Sequence, residues 1–143
     1  MTVRIAALAA AVLLVLVAVF QAALAFGLPW GGAAYGGGAA GADGVLPTGL
    51  RISSAVAAVV LTLAAWVVLR RGGVLTAGRP SDRIVRWLTW AIVGFLALNT
   101  VGNLSSSSTV ERWGLGAITL VLVILCGFVA LAGPHPGTSQ ETR

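Results

Sequence analysis

The sequence is poor in the residues that carry out chemistry. Its 143 residues include only four acidic side chains, one histidine and one cysteine. Cys126 has no second cysteine with which to form a disulfide or a thiolate metal site, and His135 stands alone near the C-terminus. The serines have no base at a spacing that would activate a nucleophile. We therefore expect no metal, no cofactor and no catalytic residue, and we predict that the protein is not an enzyme.

Charged residues are also scarce. They make up 9% of the chain, against about 25% in soluble domains, whereas 58% of the residues are hydrophobic. The net charge of +5 comes from arginines beside apolar segments, which is typical of membrane topology and contact with anionic headgroups. We therefore expect no nucleic-acid partner. All nine basic residues are arginine, and together with abundant alanine, glycine and valine this indicates a GC-rich bacterial source.

Four apolar stretches run through about residues 5–26, 52–69, 87–104 and 113–132. Each approaches the roughly 20 residues that a helix needs to cross the ~30 Å hydrocarbon core of a bilayer. In lipid, a span must satisfy its own backbone hydrogen bonds. The sequence therefore predicts an all-α fold, a transmembrane four-helix bundle that forms one domain over residues 1–132. Residues 133–143 are rich in proline and glycine and are predicted to be a short disordered cytoplasmic tail.

The first stretch has an alternative interpretation as a secretory signal peptide. Arg4 supplies a positive n-region, and Ala23-Leu24-Ala25 resembles a cleavage site. Its apolar run of 22 residues is longer than the 7–15 of a typical signal peptide, which favours an uncleaved first span. Whether this span is ever cleaved stays open.

The arginines indicate the orientation of the helices. Five lie in or beside the connection between the second and third stretches: Arg70, Arg71, Arg79, Arg83 and Arg86. Because cytoplasmic connections are enriched in basic residues, we expect this connection and both termini to face the cytoplasm of a bacterial inner membrane.

The loop 27–49 then lies on the extracytoplasmic side. It contains nine glycines in 23 residues and lacks the Gly-Lys-Ser/Thr sequence of a phosphate-binding loop. Such a composition is typical of a mobile linker, but Trp30 and Tyr35 favour the headgroup level and are expected to hold it partly ordered.

Polar side chains gather at the extracytoplasmic ends of the predicted helices. Asn99 and Asn103 are four residues apart and share a face of the third helix, while Arg51 and Glu111 begin the second and fourth. A buried amide costs free energy unless it is hydrogen-bonded, so we expect these groups to point inward. Within this cluster we expect Arg51 to pair with Glu111, and Ser108 and Glu111 to form a capping box.

The candidate site therefore comprises Trp30, Tyr35, Arg51, Asn99, Asn103 and Glu111. One interpretation is structural, with the cluster capping helix ends and fixing their register. The other is functional, with a shallow site for a solute, a lipid headgroup or a peptide, and the glycine-rich loop as its lid.

Three segments carry a resemblance to known proteins. Gly27–Gly32, Leu46–Ser54 and Asn103–Gly114 resemble an uncharacterised group of small four-span bacterial integral membrane proteins. The resemblance implies a membrane bundle and its compartment, and it implies no activity, ligand or catalytic residue.

Two classes of function follow. The first is a structural or accessory subunit that interacts through small-residue helix faces with itself or with a larger membrane protein. The alternative is a small oligomeric transporter or a solute- or lipid-binding bundle that uses the polar cluster. Ion-coupled transporters place an ionisable group at depth, and here the deepest polar residues are uncharged, which disfavours coupled transport.

The orientation can be tested by cysteine accessibility. In a Cys126→Ala background, we expect Gly38→Cys to react with an impermeant thiol reagent in intact cells, because the glycine-rich loop is predicted to be extracytoplasmic. Labelling only after the membrane is permeabilised would reverse the predicted orientation.

Overall fold

The computed structural model describes residues 1–75 and 82–133. The helices are α1 over Val3–Ala25, α2 over Thr48–Arg71, α3 over Asp82–Leu104, and a last helix that is π-helical over Val110–Leu115 and continues as α4 over Gly116–Ala132. A short 3-10 turn over Gly31–Ala33 lies in the first connection. No strand occurs in the described residues, and the predicted all-α fold with four helices is confirmed. Arg79 and the predicted tail beyond Gly133 lie outside the described residues.

The helices extend beyond the apolar stretches that predict them. The helix α2 begins at Thr48 and ends at Arg71, so it includes Arg51 near one end and Arg70 near the other. The helix α3 begins at Asp82 rather than near residue 87. Hydropathy falls at each arginine, but arginine is a good helix former whose long side chain reaches out of an apolar zone. The helices therefore continue past the apolar edge.

All four helices are long and apolar enough to cross a membrane. Large apolar side chains on their outer faces are exposed, among them Val19 at 61%, Leu98 at 75% and Ile124 at 62%. An outer surface of this kind suits hydrocarbon as the solvent rather than water. The chain is a multi-pass membrane protein.

The interface between α1 and α2 is the most extensive in the bundle. Its α1 face consists of Ala6, Ala7 and Ala10, all with 0% exposure, and it packs in one cluster with Ala64 and Ala65 of α2. Between helices in lipid, attraction comes mainly from close packing, and small side chains allow the backbones to approach. The alanine faces therefore hold α1 and α2 together as the tightest pair.

The remaining helices complete a ring with one loosely packed side. The helix α3 packs mainly on α4, and α4 also packs on α1, whereas α2 and α3 make few contacts with each other. The sparse contact leaves a seam between α2 and α3 that runs along the bundle. Both a polar cavity and an apolar groove lie along this α2/α3 seam.

The two ends of the bundle differ in the segments they carry. Gly72, at the end of α2, lies against Ala7 and Val3 of α1, and Gly133, after α4, lies against Arg71. We call this the terminal end. The opposite end, the loop end, carries the connection between α1 and α2 and the serine-rich connection before the last helix.

Arginines at the two ends of α2 cap the helices beside it. At the loop end, Arg51 Nε donates a hydrogen bond of 3.0 Å to the carbonyl of Ala25, the last residue of α1. At the terminal end, the buried Arg71 donates from Nη2 to the carbonyl of Ala130 in the last turn of α4, also at 3.0 Å. The last carbonyls of a helix lack intrahelical partners and carry partial negative charge, which favours a cation there.

The close approach of α2 to α1 at the terminal end can be tested with a glycine pair. A Cβ at Gly72 would overlap Ala7, whereas a Cβ at Gly102 in α3 would meet nothing within 4 Å. We expect Gly72→Ala to destabilise the protein by about 1–3 kcal/mol through overpacking. The control Gly102→Ala removes a helical glycine and should be neutral or stabilising by up to about 1 kcal/mol. Thermal unfolding in detergent measures both, and equal melting temperatures for wild type and Gly72→Ala would contradict this packing.

Candidate functional site

The glycine-rich connection is folded over the loop end of the bundle. Ala34 and Leu46 of this connection are buried with Leu24 of α1 in a second, smaller apolar cluster. Gly31 N–H donates to the Gly44 carbonyl at 2.9 Å, which ties the two arms of the loop together. The ring of Trp30 stacks on Phe20 with centroids 6.3 Å apart. The loop is thus a packed cap rather than a linker without contacts.

Tyr35 is held in an unusual backbone conformation at the centre of this cap. Its φ is 51°, and Gly36 and Gly37 follow with φ of 81° and 77°. A non-glycine residue in this region costs on the order of 1–3 kcal/mol unless its surroundings compensate. Here the phenol oxygen lies 3.0 Å from Ser54 Oγ and donates to the Leu50 carbonyl at 3.4 Å. The turn therefore directs the Tyr35 side chain against α2.

Glu111 joins the cap to the last helix. The residue is 6% exposed, and its carboxylate accepts a hydrogen bond of 2.8 Å from Gly36 N–H and another from the Ser106 hydroxyl. The Glu111 N–H donates to Ser108 Oγ at 3.5 Å, so half of the predicted capping box is present. The reciprocal half is absent because the carboxylate turns toward the loop instead of back to Ser108.

Two neighbouring serines reinforce this attachment. Ser107 Oγ donates to the Gly36 carbonyl at 3.0 Å, and Ser108 Oγ donates to the Gly32 carbonyl at 3.2 Å. These hydrogen bonds, like that of Glu111 to Gly36, all use backbone groups of the cap.

The predicted pairing of Arg51 with Glu111 is wrong. Arg51 turns toward α1, where its guanidinium lies against Gly27 and donates to Ala25, while Glu111 faces Gly36 and Ser106. Opposite charges at one depth suggest a pair, but the end of α1 offers Arg51 unpaired carbonyls at shorter reach. Arg51 is thus a cap for the C-terminus of α1.

A cavity of about 230 Å³ lies inside the bundle beneath the cap. Four of the six predicted site residues line it, namely Tyr35, Asn99, Asn103 and Glu111. The other lining residues come from the cap, from α1, α2 and α3 and from the last helix: Val17, Gln21, Ala34, Ala57, Leu61, Phe95, Leu96, Leu115, Thr119 and Leu122. Trp30 and Arg51 do not contribute to its wall.

The polar wall of the cavity is rich in hydrogen-bond acceptors. Asn99 Nδ2 donates to the Phe95 carbonyl at 2.8 Å, and Asn103 Nδ2 donates to Thr119 Oγ1 at 3.5 Å. Each amide thereby uses one of its two N–H donors within the bundle and keeps one N–H and an oxygen that accepts. Gln21 Oε1 is buried and has no hydrogen-bond partner in the structure. A group that donates hydrogen bonds is the complement to such a wall.

Sequence reasoning missed Gln21 as a site residue. The sequence could have indicated Gln21, because it is the one polar side chain in an otherwise apolar first span. Its contribution depends on how α1 is rotated in the bundle, and the uniform hydropathy of that helix does not specify a rotation.

The part of the cavity farthest from the cap is lined by leucines. Leu61, Leu96 and Leu122 line it and are almost fully buried, with exposures of 6%, 1% and 0%. Across residues 1–75 and 82–133, no group of three or more His, Cys, Asp or Glu side chains is placed to hold a metal ion. The arrangement can thus bind a ligand that donates hydrogen bonds from the loop end, on an apolar floor.

The chain matches no protein-family model, no curated protein and no solved structure. The resemblance to small four-span bacterial proteins therefore stays a prediction, and the function is inferred from the site itself.

The separate partners of Arg51 and Glu111 can be tested with a double-mutant cycle. We expect Arg51→Gln and Glu111→Gln each to lower thermal stability, because each removes a charged group from a hydrogen bond to backbone. Residues that share no partner usually give additive effects, so the double variant should lose the sum within about 0.5 kcal/mol. If the double variant loses much less stability than that sum, the result would show that Arg51 and Glu111 form an ion pair after all.

Proposed function

We propose that this protein is a non-catalytic membrane protein that binds a small ligand in the cavity beneath the cap. The proposed compartment is the bacterial inner membrane, with the cap on the extracytoplasmic side and both termini in the cytoplasm. The basic connection between α2 and α3 supports this orientation.

The observation that carries the proposal is the convergence of polar side chains on an open cavity. Protein interiors are packed with few voids larger than a water molecule, whose share of liquid volume is about 30 Å³. A cavity of about 230 Å³ is several times larger than this and has a polar wall. A cluster that only caps helix ends has no need for such a space, because its side chains would close on one another.

The distribution of the wall residues supports the same interpretation. Gln21, Tyr35, Asn103 and Glu111 come from α1, the cap, α3 and the last helix. Groups that are distant in sequence and that meet around one space are typical of ligand pockets, which combine an apolar lining with a few convergent polar groups.

The chemistry of the wall favours binding over catalysis or coupled transport. Glu111 and Tyr35 are the ionisable side chains among the described lining residues, and neither has a second carboxylate beside it. The serines that hydrogen-bond them, Ser106 and Ser54, do not line the cavity. The leucine floor favours a pocket closed at one end over a continuous path through the bundle.

The test is purification of the full chain in mild detergent followed by native mass spectrometry. We expect a small molecule to be retained by the wild type and lost in Asn99→Ala and Asn103→Ala, which each remove a polar group from the wall. Ser53→Ala is the matched control, because Ser53 is exposed on α2 and donates only to the Gly49 carbonyl of its own helix.

Retention of the molecule by both asparagine variants would contradict the proposal. A larger protein bound stoichiometrically by wild type and cavity variants alike would instead favour an accessory subunit.

An accessory subunit is the second candidate, and one observation favours it. A Cβ at Gly94 of α3 would meet nothing within 4 Å, so this outward face leaves room for the close approach of another helix. Gly94→Leu should abolish co-purification of a partner if that face is used, and should leave ligand binding in the cavity intact.

A further inference from the structure

An apolar groove lies beside the polar cavity along the α2/α3 seam. The groove has a volume of about 480 Å³ and a wall that is almost entirely hydrocarbon. It is lined by residues of both helices: Val60, Leu63, Ala64, Trp66, Val67, Leu88, Ala91, Ile92 and Phe95. Phe95 lines both spaces, so the groove and the cavity are neighbours at this side chain.

The side chains at the border between the cavity and the groove are exposed on the surface of the bundle. Phe95 is 43% exposed and Asn99, one turn nearer the loop end, is also exposed. Both line the cavity, so part of its wall lies at the surface that faces the surrounding lipid.

The two spaces together extend over the depth of one leaflet. From Ala57 at the cavity to Val67 in the groove, α2 advances by about 15 Å at 1.5 Å per residue. This is about half of the ~30 Å hydrocarbon core, which is the depth of one leaflet. The polar end of the cavity, at Asn103 and Glu111, lies near the helix ends, on the side where a headgroup belongs.

The charge of the cavity selects the kind of headgroup. Glu111 supplies a carboxylate whose hydrogen-bond donors, Gly36 N–H and the Ser106 hydroxyl, are both neutral. None of the described residues that line the cavity is an arginine, and Gln21 Oε1 adds a buried acceptor without a partner in the structure. A primary ammonium complements this wall, because it is a cation with three donors and no acceptor.

We propose that the cavity and the groove together bind one membrane phospholipid with a primary-amine headgroup. Its ammonium lies among Glu111, Gln21 and Asn103, and one acyl chain lies in the α2/α3 groove. The phosphate remains at the exposed mouth, where Asn99 has a second amide N–H to donate. This inference rests on the proposed ligand-binding function and specifies its ligand.

The experiment titrates the full chain, purified and delipidated in mild detergent, with three phospholipids of identical chains. Their headgroups are ethanolamine, choline, which has no N–H donor, and glycerol, which has no amine. Native mass spectrometry measures bound lipid. We expect one ethanolamine phospholipid per chain, bound about tenfold more tightly than the other two, as loss of a hydrogen bond to a charged group implies.

Two variants separate the headgroup from the chain. Glu111→Gln keeps the size of the side chain and an acceptor for Gly36, and should abolish the preference for ethanolamine. Ala91→Phe fills the groove from an exposed position on α3 and should weaken all three lipids. Ala117→Phe, the same change at an exposed position of α4 that does not line the groove, is the matched control and should change nothing.

A separate thermal-shift titration with ethylammonium chloride distinguishes this inference from the proposed function. If ethylammonium stabilises the protein but no phospholipid binds, or if Ala91→Phe does not weaken phospholipid binding, the lipid assignment is overturned. The cavity would then be a pocket for a soluble amine. Equal binding of all three lipids, unchanged in Glu111→Gln, would overturn the headgroup assignment. No saturable binding of any of these probes would overturn this inference, whereas the proposed function is overturned by its own test, in which both asparagine variants retain the co-purified molecule.

Discussion

The need to satisfy backbone carbonyls at helix ends in apolar surroundings governs the arrangement of this bundle. The helix α2 meets that need for two neighbours at once, because Arg51 donates to the end of α1 and Arg71 to the end of α4. The helix α1 runs antiparallel to α2, whereas α4 runs parallel to it, so the C-termini of α1 and α4 lie at opposite ends of α2. One helix with an arginine at each end therefore fixes the depth of two others, and the alanine faces of α1 and α2 then pack in that register.

The use of Arg51 as a cap also shapes the polar cavity. Had Arg51 met Glu111, the two charges would have satisfied each other and a guanidinium would have filled the space beneath the cap. Because the end of α1 holds Arg51, the Glu111 carboxylate is left with the neutral donors of Gly36 and Ser106. The acidic character of the cavity thus follows from a contact made elsewhere in the bundle.

Much of the fold could be predicted from hydropathy, and much of the candidate site could not. The four spans follow from the length of the apolar stretches, because a helix needs about 20 apolar residues to cross a bilayer. The helix ends at Thr48 and Asp82 do not follow from apolar length, because arginine continues a helix beyond its apolar part. The sequence placed Tyr35, Asn99, Asn103 and Glu111 at one depth, and these four line the cavity.

The depth of a residue in the membrane does not specify the direction in which its side chain points around the helix axis. Arg51 lies at the predicted depth but points toward α1, and Trp30 stacks on Phe20 instead of lining the cavity. Gln21 enters the wall only because α1 is rotated to present it. Rotation is fixed by packing between helices whose faces are all apolar, and single-sequence hydropathy carries little of that information.

The attachment of the cap has a consequence for how the loop can diverge during evolution. The serine-rich connection and Glu111 hold the N–H and carbonyl of Gly36 and the carbonyl of Gly32, which are atoms that every residue type possesses. These hydrogen bonds therefore do not depend on most side chains of the loop. Positions such as Gly36 and Gly37 are exceptions, because their positive φ favours glycine. Mutational tolerance should be uneven across this contact, with the cap free to change its outer surface while Ser107, Ser108 and Glu111 are constrained.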